Sequence, residues 1–140
     1  MADINKAGVL IIEDDKFMLC RKNDTTTKLI IPGGSIEAEE SPEDCIIREV
    51  CEELGKEVQL SELQYLETYE DIAAYDDPKI QKTVKIILYQ AKMTGAPIPS
   101  SEIVEIIWFD SNSDINELSP IIKNKILPDI INKKILQWKT

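Results

Sequence analysis

GSIEAEESPEDCIIREVCEELGK, residues 34–56, contains a helix whose two ends are written into the sequence. Ser41 is a good N-cap, because its hydroxyl can accept a hydrogen bond from a free N–H of the first turn. Pro42 suits the first helical position, and Asp44 completes a capping-box-like start. Leu54-Gly55 supplies the stop, with Gly55 free to take the left-handed conformation. The spacing predicts a helix over residues 43–54. Glu49, Glu52 and Glu53 stand at i, i+3 and i+4, on one face of it. Ile47, Val50 and Leu54 fall on a second face, which the helix is expected to bury.

Three carboxylates so close repel one another, and a divalent cation turns that repulsion into attraction. An all-oxygen donor set favours Mg²⁺, or Mn²⁺, over Zn²⁺. The chain has no histidine, so the commonest zinc ligand and general base are both missing. Taken alone, the glutamate cluster also describes a solvated acidic helix face. The surrounding pattern decides between the two.

Outward from the helix, Ala7-Gly8-Val9-Leu10-Ile11-Ile12, a polar turn at residues 13–16 and Phe17-Met18-Leu19-Cys20 read as a hairpin of two buried strands. Further strands are expected at residues 63–69, 83–92 and 103–109. Residues 71–81 and 95–101 form polar or Pro-rich connections, and residues 114–118 suit a short helix. Ser119-Pro120 opens a last helical segment with apolar residues from Ile121 to Leu136, divided or kinked by Pro128. That stripe is expected to pack on the sheet; a homodimer surface is its other use. Mixed strands and helices predict an α/β fold, with a mixed β-sheet between helices on both faces.

The 140 residues suit one domain, and 43% hydrophobic against 30% charged residues is a globular balance. A net charge of −10 argues against general binding to nucleic acid or anionic membranes. Cys20, Cys45 and Cys51 have no metal-binding spacing and read as small buried thiols. With no apolar run long enough to span a bilayer, the expected location is cytoplasmic.

Gly34, Glu40, Arg48-Glu49-Val50, Glu52-Glu53 and Gly55 resemble the Nudix box, G-x5-E-x7-R-E-U-x-E-E-x-G-U, in which U is apolar. Only the last position departs, with Lys56 in place of an apolar residue. Glu39 also stands where the family often has glycine. The flanks agree: residues 7–11 are similar to the family's first strand, Pro32-Gly33-Gly34 to its lead into the box, and residues 101–109 to its late acidic strand.

The resemblance implies a Nudix-type α/β/α sandwich over residues 1–140 that uses water to cleave the diphosphate linkage of a nucleotide-type substrate. By the same resemblance Glu52 and Glu53 are the principal Mg²⁺ ligands, and Glu49 is a third ligand or the base. Gly33 offers its backbone carbonyl to a metal, and Arg48 orients a box glutamate by a charge-assisted hydrogen bond. Glu40 stays open between a structural ion pair and a metal role. Outside the box, Glu102 and Glu105 are candidates for a ligand or base. Their spacing turns them to opposite sides of a strand, and Glu102 is better placed. Arg21 and Lys22 read as a solvated strand end that has phosphate contact as an alternative. Tyr69, Tyr75 and Trp108 are candidates for stacking on a base. A non-catalytic nucleotide sensor built on the same fold is the competing reading, although no box carboxylate is missing. Removal of pyrophosphate from RNA 5′ ends is a third reading, disfavoured by the acidic charge.

Overall fold

The computed structural model describes residues 2–23 and 26–138. Its strands are β1 (Ile4–Leu10), β2 (Ile12–Glu13), β3 (Lys16–Lys22), β4 (Gly33–Ser35), β5 (Gln59–Ile72), β6 (Thr83–Thr94) and β7 (Ile103–Phe109). Helix α1 spans Pro42–Leu54 and α2 spans Leu127–Asn132. A 3₁₀ turn at Ile115–Glu117 and a π-helical turn at Ile122–Ile126 complete the elements.

The strands form two sheets. One is mixed, in the order β4-β1-β6-β5, with β1 and β6 parallel and the other pairs antiparallel. The second is antiparallel, in the order β2-β3-β7. Successive side chains on a strand point to opposite faces. Leu10, Phe17, Leu19, Ile86, Leu88 and Phe109 therefore enter one core, while Ala7, Val9, Ile11, Met18 and Cys20 enter the other. Burial of both faces explains the unbroken apolar runs in β1 and β3. Helix α1 closes the second core with Cys45, Ile46, Val50 and Leu54, and the C-terminal segment closes the first with Ile122, Ile126, Leu127 and Ile130. The fold is thus α/β, with helical layers on both faces as expected, but its strands divide between two sheets.

Three local expectations need correction. First, β1 does not form the expected long hairpin with β3. Both its edges are occupied, by β4 and β6, and the hairpin partner of β3 is the short β2, through Ile12–Phe17 and Glu13–Lys16. The chain passes from one sheet to the other at Ile11. Second, Ile47 is 53% exposed, whereas the buried stripe of α1 includes Glu53. Third, Cys51 is exposed, although Cys20 and Cys45 are buried.

Pro128 stands in the first turn of α2, directly after the π-helical turn, and the helical path runs through it unbroken over residues 120–132, so the expected division does not occur. That helix ends at Asn132, earlier than the apolar pattern indicates. The chain then reverses at Lys134 (φ 60°), and the N–H groups of Ile135 and Leu136 both donate to the Ile130 carbonyl. Leu136 returns to the core by this reversal. Ile121, Ile122, Ile126, Leu127 and Ile130 are all buried in the chain's own core, the packing use expected of that stripe.

Candidate active site

The site is built where α1 lies against β4. Ser41 accepts from the Asp44 N–H at 3.1 Å, as the capping pattern predicts, and starts the helix in register with the glycine strand. At Gly33 φ is +143°, and a Cβ there would lie 2.1 Å from the Ala7 carbonyl oxygen. Only glycine lets β4 approach β1 so closely. A Cβ on Gly34 would lie 2.4 Å from the Glu49 carboxylate carbon. The Glu49 carboxyl thus occupies the space that Gly34 leaves open.

Glu53 points into the protein. It is 1% exposed, and one carboxylate oxygen accepts from the Gly33 N–H at 3.0 Å. The other, Oε2, is buried with no hydrogen-bond partner among the described residues. Burial pushes the Glu53 carboxyl up to about 7, against the lowering effects of the Gly33 N–H and the Lys22 charge. Burial also raises Glu49, opposed by its hydrogen bond from Arg48. Glu52 is different: its side chain is 54% exposed. The three glutamates therefore do not share one solvent-facing surface, as the helical spacing suggested. Glu53 faces the sheet, Glu49 lies in between, and Glu52 faces water.

Arg48 ties this group together. Its Nε and Nη2 donate to the two oxygens of Glu40 at 2.8 and 2.9 Å, and its Nη1 donates to Glu49 at 2.9 Å. Nη2 also reaches the Ser35 carbonyl at 3.2 Å. The paired bonds from Arg48 hold the Glu40 carboxyl down at about 2. In this structure Glu40 makes an ion pair that anchors Arg48 at the loop–helix junction. Arg48 in turn holds a box glutamate, as the resemblance implies.

Residues 95–101 bring the remaining groups in. The Ile98 N–H donates to the Leu54 carbonyl at 2.9 Å, and the Ser100 N–H to the Glu53 carbonyl at 3.0 Å. These bonds satisfy helix-end carbonyls that would otherwise lack partners. They also deliver Glu102 to the side of Glu53, whose carboxyl feels its charge. The Ser101 hydroxyl, donating at 3.0 Å, and the Lys22 charge both lower Glu102. Glu105 instead pairs with Arg21 across β7 and β3 at 2.9 Å. Arg21 also bonds Glu117 and the Thr27 carbonyl.

Lys22 is the residue whose place the sequence reading missed. Its side chain is only 16% exposed, and its Nζ lies 3.4 Å from Glu102. It also lines a cavity of about 80 Å³, together with Thr26, Ile31, Tyr75, Val84 and Ser119. The signal was its place at the end of a strand whose partner, β7, begins beside Glu102. Of the aromatic candidates, Tyr75 lines this cavity, Tyr69 donates its hydroxyl to Asp129 at 2.6 Å, and Trp108 packs into the α1 core.

The donor set fits a hard divalent cation. All the groups are oxygens, one of them a buried carboxylate oxygen with an open lone pair. Among the described residues, no three His, Cys, Asp or Glu groups form a ready-made cage. An open arrangement suits Mg²⁺, which keeps several waters and takes few protein ligands.

The NUDIX domain family model matches residues 4–128. The chain belongs to the Nudix family. A MutT-like protein of Streptomyces ambofaciens is 28% identical over 127 residues, covering 89% of this chain and 74% of that one. The crystal structure of the MutT protein from Methanosarcina mazei Go1 superposes with a TM-score of 0.70 at 21% identity, over 93% of this chain and 95% of that one. The E. coli dihydroneopterin triphosphate pyrophosphohydrolase gives 0.66 at 15% identity, over 94% and 97%. At these identities the superpositions speak for the fold. Nudix membership makes the chain a hydrolase of phosphorus-containing acid anhydrides.

Proposed function

We propose that this Nudix hydrolase uses water to cleave the P–O–P linkage of a nucleoside triphosphate, or of a nucleoside diphosphate joined to another group. Its cofactor is Mg²⁺, with Mn²⁺ able to substitute. The observation that carries this reading is Glu53, a buried carboxylate with one oxygen on the Gly33 N–H and the other without a partner. A buried charge with an unfilled lone pair is costly, and a hard cation offsets that cost. Glu49, Glu52, Glu53 and the Gly33 carbonyl would hold the ion. When bound it supplies positive charge for the phosphate oxygens and makes water more acidic.

The protein's own groups do the rest. Arg48, anchored by Glu40, keeps Glu49 in place. Glu102, kept in its charged form by Ser101 and Lys22, is free to take the proton of the attacking water; Glu49 is the alternative base. Lys22 presents an ammonium toward the phosphates, and the cavity beside it receives the non-phosphate half. A P–O bond to water forms as the bridging P–O bond breaks.

The matched span supports reading residues 1–140 as one domain. Free thiols at Cys20, Cys45 and Cys51 suit a reducing, cytoplasmic setting. No helix among the described residues is long and apolar enough to cross a membrane. The test is a Mg²⁺-dependent screen of nucleoside triphosphates, ADP-ribose, dinucleoside polyphosphates and nucleotide sugars, scored by released phosphate or pyrophosphate. Turnover of at least one class is expected, with at least a hundredfold loss in Glu52→Gln and Glu53→Gln. Full rates in both variants would remove the metal assignment.

A further inference from the structure

Residues 73–82, which join β5 to β6, are fastened beside the Lys22 cavity to Thr26 and Thr27, which precede β4. The fastening is one side chain, Asp76. Its Oδ2 accepts from the Thr27 N–H at 3.0 Å and its Oδ1 from the same N–H at 3.2 Å. The Thr26 and Thr27 hydroxyls add contacts to Oδ1 at 3.3 and 3.4 Å. Thr26 is buried and lines the cavity; Tyr75, next to Asp76, forms another part of the wall. Among the described residues, the loop's other hydrogen bonds are internal or at its base: Ala73 N–H to the Lys82 carbonyl, Ile80 N–H to the Asp77 carbonyl and Lys79 N–H to Asp77. None of these sets its distance from residues 26 and 27.

From this arrangement we infer that Asp76 is a positioning residue for substrate recognition. It clasps the two loops and so holds Tyr75 as the wall against which the non-phosphate half of the substrate packs. The inference rests on the diphosphate-cleaving reading above. Ile4, Lys22, Val84 and Ile86 of the wall stand on strands and are set by the sheets. Tyr75 stands on a loop, and loop residues hold a position only when something ties them. A wall already ordered spares the substrate the entropy of ordering it, so the clasp acts on affinity for the organic half. The diphosphate end meets Lys22 and the α1 glutamates, which Asp76 does not touch.

The test is calorimetric titration in Mg²⁺ with two kinds of probe. One is tripolyphosphate, which has no organic half. The other is a panel of α,β-methylene nucleoside triphosphates bearing each common base, with α,β-methylene ADP-ribose. In Asp76→Ala the tightest-binding nucleotide analogue is expected to weaken at least tenfold, while tripolyphosphate binding changes less than twofold. Asp76→Asn, which keeps the Oδ1 acceptor, should recover most of the loss. Tyr75→Ala should reproduce it with the clasp intact, a result that general loosening of the fold would not give. Equal weakening of both probes, or no change in either, overturns the inference and leaves the diphosphate reading standing. If no nucleotide analogue binds wild type more tightly than tripolyphosphate, the cavity has no such role and the inference falls. Failure of every probe to bind wild type removes the diphosphate reading and this one together.

Discussion

Replacing Glu53 by Gln should make the metal-free protein more stable at pH 8 while destroying its activity. In the fold the Glu53 carboxyl is pushed by burial from its ordinary 4.5 up to about 7. A carboxyl raised in this way holds its proton more tightly when folded than when unfolded. Its contribution is therefore fully favourable below about pH 4.5 and is lost as pH rises through about 7. At about 1.4 kcal/mol for each pH unit, the loss comes to about 3 kcal/mol. Gln has the shape of the protonated acid and can keep accepting from the Gly33 N–H, yet it never ionises. Wild type and Glu53→Gln should match at pH 4.5, and the variant should lead at pH 8 by about 3 kcal/mol. For a chain of this size that is about 10 °C in melting temperature. The assay is thermal unfolding followed by circular dichroism in EDTA at the two pH values. Adding Mg²⁺ at pH 8 should close the gap from the wild-type side, because a ligand that binds only the folded state stabilises it. A variant no better than wild type at pH 8, or better by the same margin at both pH values, would refute the account of Glu53 as a charge awaiting a cation.

Two further outcomes follow from the glycine strand and the loop before α1. Gly34→Ala should shift melting by only a few degrees, because the atom its Cβ meets belongs to the Glu49 side chain. The displaced carboxylate should still weaken Mg²⁺ binding at least tenfold by titration; unchanged affinity would mean that Glu49 needs no such space. Glu39 is held at φ 65°, a conformation costly for any residue with a Cβ. Glu39→Gly should therefore stabilise the chain by about 0.5–1 kcal/mol, measured by urea unfolding, and a destabilised variant would count against strain at this position.

The sequence displayed the ends of α1 clearly, because Ser41 and Pro42 act on their own neighbours and Gly55 marks the stop. Gly55 itself, at φ 90° and ψ 162°, is not the expected left-handed cap, and the last carbonyls are met by the distant Ile98 and Ser100. β7 was equally readable as a short apolar run with fixed limits. What it concealed were relations between distant segments. The continuous run from Ala7 to Ile12 shows burial on both faces, but not that the chain changes sheets at Ile11. Glu53 was grouped with Glu49 and Glu52 by charge, although it lies only about 20° around the helix from Ile46, two turns earlier. Hydropathy assigned it to water, and the glycine strand claimed it for the interior. Lys22 resembled any charged strand end, since nothing in its own neighbourhood announces Glu102, 80 residues away. Arg48 was legible for the opposite reason: its partners Glu40 and Glu49 lie within eight residues of it.

The bonds from Ile98 and Ser100 to the last carbonyls of α1 bear on how such a protein can be redesigned. They couple Glu53 and Glu102 mechanically, so lengthening residues 95–101 would drag one carboxylate away from the other and spoil the hydrolytic centre. The crossing at residues 73–82 carries no such burden. New substrate preferences can be grafted there, exchanging the recognition surface while the cutting apparatus keeps its alignment.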